Sequence, residues 1–398
     1  MNNDRAKRWL EPKTWAEAAY DPQVRAVVFQ ALLVIVLLIA ATEIVLNTAA
    51  NLKKQNITSG FEFLWRTAGF DVSQSLIPYS SKSSYAGAFL VGLTNTLLVA
   101  ALGIVISTVL GFAIGIARLS PNWLASKLAL SYVELVRNVP LLLQLLVWYV
   151  AVLRAFPPPA EALGLPLGAH LDKRGLHLPQ LAFEHGGGAL LISIVGAIAA
   201  AWFLIRLARQ DRDGARQHSS FVAGAWALVG LVPFLALLYA AAYVNVTYPA
   251  LGRFNFEGGI SIEPEFLALL IGLSTYTAAF ISEIVRAGLL GVPRGQREAA
   301  AALGLSRRQA LRLVILPQAM RIITPPLTNQ YLNLTKNSSL AVAIGYPDLV
   351  SVFSGTVLNQ TGQAVEVILI TMAVYLAISL ATALFMNRFN ARTAWAER

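Results

Sequence analysis

The sequence predicts an all-α polytopic membrane protein with about eight transmembrane helices. Of 398 residues, 56% are hydrophobic and only 13% charged, against about 25% charged in an ordinary soluble domain. Apolar segments long enough to cross a hydrocarbon core of roughly 30 Å recur along the chain. Lys and Arg gather in alternate loops, the pattern that marks the cytoplasmic side.

Seven spans are clear, at 27–47, 88–117, 128–153, 189–207, 221–243, 266–285 and 365–386. The first follows a 26-residue lead of mixed acids and bases with no small-residue cleavage site after it, so it is read as a retained anchor. An eighth segment, "AMRIITPPLTNQYLNLTKNSSLAVAI" (319–344), is weaker, with two prolines and several amides. Charge decides whether it crosses. The lead carries Arg5, Lys7, Arg8, Lys13 and Arg25 and belongs in the cytoplasm. With eight spans, Arg388, Arg392 and Arg398 join it, leaving 21 Lys/Arg inside and 8 outside. With seven, the C-terminal arginines would lie outside, so eight is the better count.

The loops agree. "RLARQDRDGARQH" (206–218) holds four arginines, and 286–321 holds seven basic residues, both inside. Loops 48–87, 154–188 and 244–265 are rich in Pro, Gly, Ser and aromatics, and "FPPPAEALGLPLG" (156–168) reads as an extended connector. Within the second span, Gly111 and Gly115 give a small-xxx-small packing face.

Several chemistries are excluded. The chain has no cysteine, so no disulfide or thiolate metal site forms. It lacks G-x-x-x-x-G-K-[ST], H-E-x-x-H and G-x-S-x-G, so any ATP it uses must be bound by a partner. His170, His177, His185 and His218 read as solvated loop residues rather than a metal site. The N-x-[ST] tripeptides at Asn56, Asn245, Asn333 and Asn337 are expected by chance.

The loop "REAAAALGLSRRQALRLVILPQ" (297–318) reads as two short helices. Pro293 and Gly295 start the first, placing Glu298 in its first turn, where a carboxylate suits the helix dipole. Ala299 to Leu303 are helix formers and Gly304 breaks the run. Ser306 with Gln309 makes a capping box. The second helix then runs from about Arg307 to Ile315 and stops before Leu316-Pro317. Three readings are open. A DNA-reading helix-turn-helix would use Arg307, Arg308 and Arg312, but both ends are tethered to the bilayer within about ten residues, which hinders groove entry. A second reading is a loop whose arginines only set topology. The third is a docking element for a cytoplasmic partner.

This loop resembles the EAA motif of ABC importer permeases, E-A-A-x3-G-x9-I-x-L-P. Glu298, Ala299, Ala300, Gly304, Leu316 and Pro317 stand in register, with Val314 in the isoleucine position. "SEIVRAGLLGVPRGQ" before it, "PQAMR…P" and "KNSSLAVAIG" after it, and "YVELVRNVPLLLQLLVWY" (132–149) resemble the polar amino-acid, or histidine-permease, branch. The resemblance covers 86–154 and 266–390. It implies a type I permease core with two extra helices inserted at 155–265, an enlargement similar to a permease subunit of general L-amino acid importers. The implied organisation is a 1–85 lead, first helix and periplasmic loop; a transmembrane domain 86–390 with a coupling loop 287–318; and a cytoplasmic tail 391–398.

The resemblance also implies partners: a second similar permease, cytoplasmic ATPases carrying ATP and Mg, and a periplasmic amino-acid-binding protein that delivers an L-amino acid. This chain itself would bind no cofactor or nucleic acid and would not be an enzyme. Glu298, Ala299, Ala300 and Gly304 would form the coupling helix, with Leu316 and Pro317 completing the motif. Its place would be a bacterial inner membrane, with both termini cytoplasmic.

For the pathway, Asn329, Asn333, Lys336 and Asn337 stand at 0, 4, 7 and 8 on one helical face, followed by Ser338. Intramembrane polar groups are costly and point to a lined cavity. Lys336 either receives a substrate carboxylate or snorkels to the interface while the asparagines pair with other helices. Glu283 either meets a substrate ammonium or pairs with Arg286 at i+3. Arg137 is expected to pair with Glu134. The alternative function is an ion-coupled secondary amino-acid transporter, which would act without an ATPase; no paired broken helices in corresponding halves favour it.

Overall fold

The computed structural model describes residues 22–54, 60–183, 192–203, 229–239 and 244–393, apart from 198, 202, 236 and 254. Among them, four helices are long and apolar enough to span a bilayer: α1 (Pro22–Lys54), α2 (Tyr85–Arg118), α5 (Pro264–Leu290) and α10 (Ala364–Thr393). Helices α3 (Trp123–Asn138) and α4 (Leu141–Leu146), the latter running on to Ala155, form a fifth apolar unit bent by 107°. The expected unbroken span 128–153 is therefore corrected. Pro140 pushes Val139 into extended backbone (φ −103°, ψ 129°). Gln144 Nε2 then donates to the freed carbonyls of Val136 and Val139 at 2.8 and 2.9 Å.

The weak eighth segment is a helix, α8 (Leu316–Asn337), continued by a tight 3-10 stretch Ser338–Ile344. It carries Pro325 and Pro326 inside it and is less apolar than the four long helices. In the inserted region, short apolar helices Ile192–Ala201 and Val229–Tyr239 stand where two spans are expected. The rest of those spans, the lead before Pro22, the loop 204–228 with His218, His185 and the tail after Thr393 lie outside the described residues.

In lipid, close packing of small residues rather than the hydrophobic effect draws helices together. Helices α2 and α5 show it. A Cβ on Gly111 would fall 2.5 Å from Ile281 Cγ2, and one on Gly115 2.7 Å from the Ser282 carbonyl oxygen. The packing face read from Gly111 and Gly115 is thus the α2–α5 contact. On the other side of α5, a Cβ on Gly288 would meet Ile323 of α8 at 2.3 Å. Ile281, Val285, Ile323 and Leu327 form one buried cluster, and Val99, Leu145, Leu269, Leu273 and Tyr346 another. A third joins Phe63 and Tyr85 to Leu349, Phe353 and Val357. These last lie on a short helical segment after α8 that hydropathy does not announce; it ends in α9 (Leu358–Thr361).

The described part of the insertion is not a mere connector. Strands β1 (Leu163–Leu165), β2 (Ala169–Asp172), β3 (Gly175–Leu178) and β8 (Ile260–Ile262) form an antiparallel sheet. Ribbons β4 (Gln180–Phe183) with β5 (Val244–Thr247), and β6 (Ala250–Leu251) with β7 (Phe256–Glu257), flank it. His170 and His177 are cross-strand partners rather than solvated loop residues. Phe256 stacks on both imidazoles, with centroids 4.7 and 4.6 Å away. His177 is buried, 3.3 Å from Asp172 and 2.8 Å from the Ser261 hydroxyl.

Candidate coupling hairpin and polar pathway helix

Helix α5 ends at Gly291, whose N–H bonds the Ala287 carbonyl at 2.8 Å. The chain turns at Pro293 into α6 (Arg294–Ala302). Glu298 therefore sits in the second turn of α6, not the first, because the helix starts one residue before Gly295. Arg297 reaches back to donate to the Leu289 carbonyl at 2.7 Å, a cation on the last turn of α5, where the helix dipole favours it.

Gly304 ends α6 with φ +72°. The Leu305 N–H bonds the Ala300 carbonyl at 3.1 Å and the Gly304 N–H bonds that of Ala301 at 2.9 Å. That pair of bonds is the Schellman closure, which places its left-handed residue at Gly304. The capping box forms as read: Ser306 N–H donates to Gln309 Oε1 at 3.0 Å, and the Gln309 N–H to Ser306 Oγ at 3.4 Å.

The second helix does not stop before Leu316-Pro317. Helix α7 (Arg307–Ala310) widens into a π-helical stretch Leu311–Ile315 and continues directly as α8. Pro317 falls in the first turn of α8, where its missing N–H costs little. Leu316 and Pro317 thus link hairpin to span without a break.

The two faces of α6 differ. Ala300 is 1% exposed, while Leu303 is 79% exposed, and Glu298, Ala299 and Gly304 are exposed with it. A cavity of about 850 Å³ lies between the hairpin and the end of α2, lined by Ile116, Ala117, Leu289, Arg297, Ala301 and Leu305 among others.

In α8, Ile323, Thr324, Leu327, Thr328, Leu334 and Thr335 are buried. Ile322, Pro325, Pro326, Asn329, Asn333 and Lys336 are exposed, and Asn337 is half-buried. The structure thus brings Asn329, Asn333, Lys336 and Asn337 onto one face, the first three uncovered and Asn337 at its half-buried edge. Ser338 is separate: it is fully buried, its hydroxyl donating to the Thr335 carbonyl at 2.7 Å. Lys336 edges a groove of about 420 Å³ that also takes in Ser339, Thr371, Tyr375 and Ser379.

Tyr375, which lines this groove, also reaches a buried polar cluster that residue spacing does not reveal. Asp348, in the segment between α8 and α10, is fully buried. It accepts the Ser351 N–H at 2.8 Å and the Tyr375 hydroxyl at 3.4 Å. The Thr96 hydroxyl accepts the Leu349 N–H at 3.0 Å. Burial pushes the Asp348 carboxyl up to about 7.

Glu283 is elsewhere. Its carboxylate takes Arg118 Nη1 on one oxygen and Arg286 Nη2, at 2.5 Å, on the other. Leu334 packs at the level of Gly103 and Glu283 at that of Arg118, so roughly 22 Å of helix rise separates Glu283 from Lys336. Arg137 is also corrected. Its guanidinium lies 5.2 Å over the Phe280 ring instead of pairing with Glu134, a cation–π contact toward α5.

Known proteins resemble the chain over nearly its whole length. It is 49% identical over 385 residues to the general L-amino acid transport system permease protein AapQ of Rhizobium johnstonii, covering 97% of this chain and 96% of that one. It is 50% identical over 380 residues to the putative amino-acid ABC transporter permease protein YhdX of Escherichia coli, covering 95% and 96%. It is 39% identical over 412 residues to the glutamate/glutamine/aspartate/asparagine transport system permease protein BztB of Rhodobacter capsulatus, covering 95% and 96%. The enlargement before and within the core is therefore shared by these relatives. Residues 103–395, from the middle of α2 past the end of α10, match one family throughout. With hairpin, glycine-packed helices and family match in agreement, the chain belongs to the binding-protein-dependent transport system inner membrane components.

Proposed function

We propose that this chain is a permease subunit of an ATP-driven importer of L-amino acids across the bacterial inner membrane, with both termini cytoplasmic. Similarity to amino-acid permeases at 49% and 50% identity supports the substrate class. Membership of a binding-protein-dependent family supports an assembly with a periplasmic binding protein and ATPases carrying ATP and Mg, and gives no support to an ion-coupled transporter.

The observation that carries the reading is the single polar face of α8, with Asn329, Asn333 and Lys336 uncovered in this chain. Such a face is costly against lipid. It suits a pathway closed by a second, similar permease, where Lys336 receives the substrate carboxylate and the amides of Asn329, Asn333 and Asn337 its polar remainder. Ser338 supports that wall from behind. Glu283 has no part in it, since both its oxygens are occupied by arginines. On the cytoplasmic side, Glu298, Ala299 and Gly304 dock in a cleft of the ATPase, the buried Ala300 seats the helix behind them, and Leu316 and Pro317 carry the motion into α8. Residues 86–390 form the translocating unit, 155–265 its insertion, 287–318 the coupling loop, 1–85 the lead and first helix, and 391–398 the tail.

The test is co-purification with the ATPase, the second permease and the binding protein, followed by uptake of a panel of labelled L-amino acids into proteoliposomes. ATP-dependent accumulation is expected. Accumulation by this chain alone under a proton or sodium gradient would overturn the reading.

A further inference from the structure

We propose that Arg118 and Glu283 form the link that passes the coupling movement from the hairpin to α2, so that α2 and α5 swing as one body. The inference rests on reading the hairpin as the ATPase-docking element.

Three observations place the link. First, a cavity of about 850 Å³ separates part of the hairpin, at Arg297, Ala301 and Leu305, from the end of α2 at Ile116 and Ala117. Second, the hairpin is fastened to α5: Arg297 holds the Leu289 carbonyl, and Gly291 runs straight on from the helix. Third, among the described residues the ion pair joining α2 to α5 is Arg118 with Glu283, two turns before α5 ends at Leu290. The Arg118 side chain is only 10% exposed. It closes α2, and its carbonyl accepts the Ser126 hydroxyl at 2.9 Å, which ties in the start of α3. Packing at Gly111 and Gly115 aligns α2 against α5, and the Arg118–Glu283 bond adds a charged, directional tie at the end of α2.

Arg286 has a different task. It lies on the same helix as Glu283 and cannot transmit between helices. Together the three side chains carry two positive charges and one negative, so removing Arg118 still leaves the carboxylate paired with Arg286. Arg118→Ala therefore cuts the interhelical link without stranding a partly buried charge.

The experiment uses the full complex of permeases, ATPases and binding protein in proteoliposomes, with a mixture of labelled proteinogenic L-amino acids as the probe. The readout is uptake per ATP hydrolysed. Arg118→Ala should lower that ratio about tenfold while ATP hydrolysis continues. Arg286→Ala should stay within about twofold, the scale of a surface i,i+3 pair. Arg118→Lys should restore most of the ratio. A second variant covers misassembly. Arg118→Cys with Glu283→Cys removes both charges, and in this cysteine-free chain a short bismaleimide bridging the two positions should restore the ratio. An unchanged ratio in Arg118→Ala sinks the proposal. So does an equal fall of uptake and hydrolysis, which is what a purely structural role would give. Failure of the hairpin reading is distinguishable, since Gly304→Pro would then hydrolyse and transport normally.

Discussion

The Leu305 amide donates to the Ala300 carbonyl at 3.1 Å, closing a turn that needs a left-handed residue at Gly304. A side chain added there meets nothing within 4 Å, so the penalty for substitution is purely conformational. Gly304→Val should cost about 1–2 kcal/mol at this turn and Gly304→Asn much less. Both variants should reach the membrane in normal amount, and ATP-dependent uptake should fall in the order Gly, Asn, Val. Equal uptake in all three would mean that the turn's geometry is irrelevant to coupling.

Glu298 is exposed on α6, and its loss should not disturb the fold. Glu298→Lys should therefore change stability by no more than about 0.5 kcal/mol while abolishing ATP-coupled uptake. The cysteine-free background offers a direct check. A single cysteine at Leu303, 79% exposed on the outer face, should cross-link to a cytoplasmic ATPase. One at Ala301, also exposed but lining the cavity beside the end of α2, should do so less well. Reversed yields at the two positions would place the partner on the other face.

Much of this was legible because it is local. Hydropathy located α1, α2, α5 and α10, with ends up to seven residues short, and Gly304, Ser306 and Gln309 announced the hairpin's turn and cap. Failures came where local signals were averaged or overridden. A window across 128–153 hides the break that Pro140 forces at Val139. Pro317 looked like a stop but falls in a first turn, where a π-helical stretch leads into it. The Arg118–Glu283 bond joins residues 165 apart, and His177 is buried by a strand 84 residues on. No spacing rule within one segment encodes such contacts. The polar face of α8 was readable from period alone, and the same period turns Ser338, nine residues after Asn329, to the opposite side, where it is buried.

Lys336 sits at the edge of a groove with Ser339, Thr371, Tyr375 and Ser379. If it receives a substrate carboxylate, Lys336→Met should raise the uptake KM by about 10- to 150-fold, the worth of a charged hydrogen bond. Lys336→Arg should keep part of the affinity. Measured uptake curves decide: an unchanged KM in Lys336→Met would assign the lysine to the membrane interface instead.

The close approach of α5 and α8 makes Gly288 sensitive to volume. A Cβ there would lie 2.3 Å from Ile323 Cγ1 and 3.4 Å from the Ala319 carbonyl oxygen. Gly288→Val should destabilise the detergent-solubilised protein by about 1–3 kcal/mol or separate the helices. Gly295→Val is the control, since a Cβ at Gly295 meets nothing within 4 Å. Matching thermal inactivation midpoints for the two variants would contradict the packing described.

Asp348 gives the protein a pH-dependent stability whose sign follows from its burial. Its carboxyl is raised from 3.8 to about 7 in the fold, so between those values the folded chain holds a proton that the unfolded chain has released. Stability from this group is full below about pH 4 and is lost as pH rises through about 7, by up to about 1.4 kcal/mol per pH unit. The neutral acid also suits its setting, where the Tyr375 hydroxyl donates to it and, among the described residues, it forms no ion pair. Asp348→Asn keeps an oxygen for the Ser351 N–H but cannot ionise. Thermal inactivation of wild type and variant, measured side by side from pH 5 to pH 8, should show the wild type losing stability relative to the variant as pH rises. Other titrating groups cancel in that difference. Parallel curves would mean that Asp348 is ionised throughout, and that the buried cluster beside Tyr375 carries a charge.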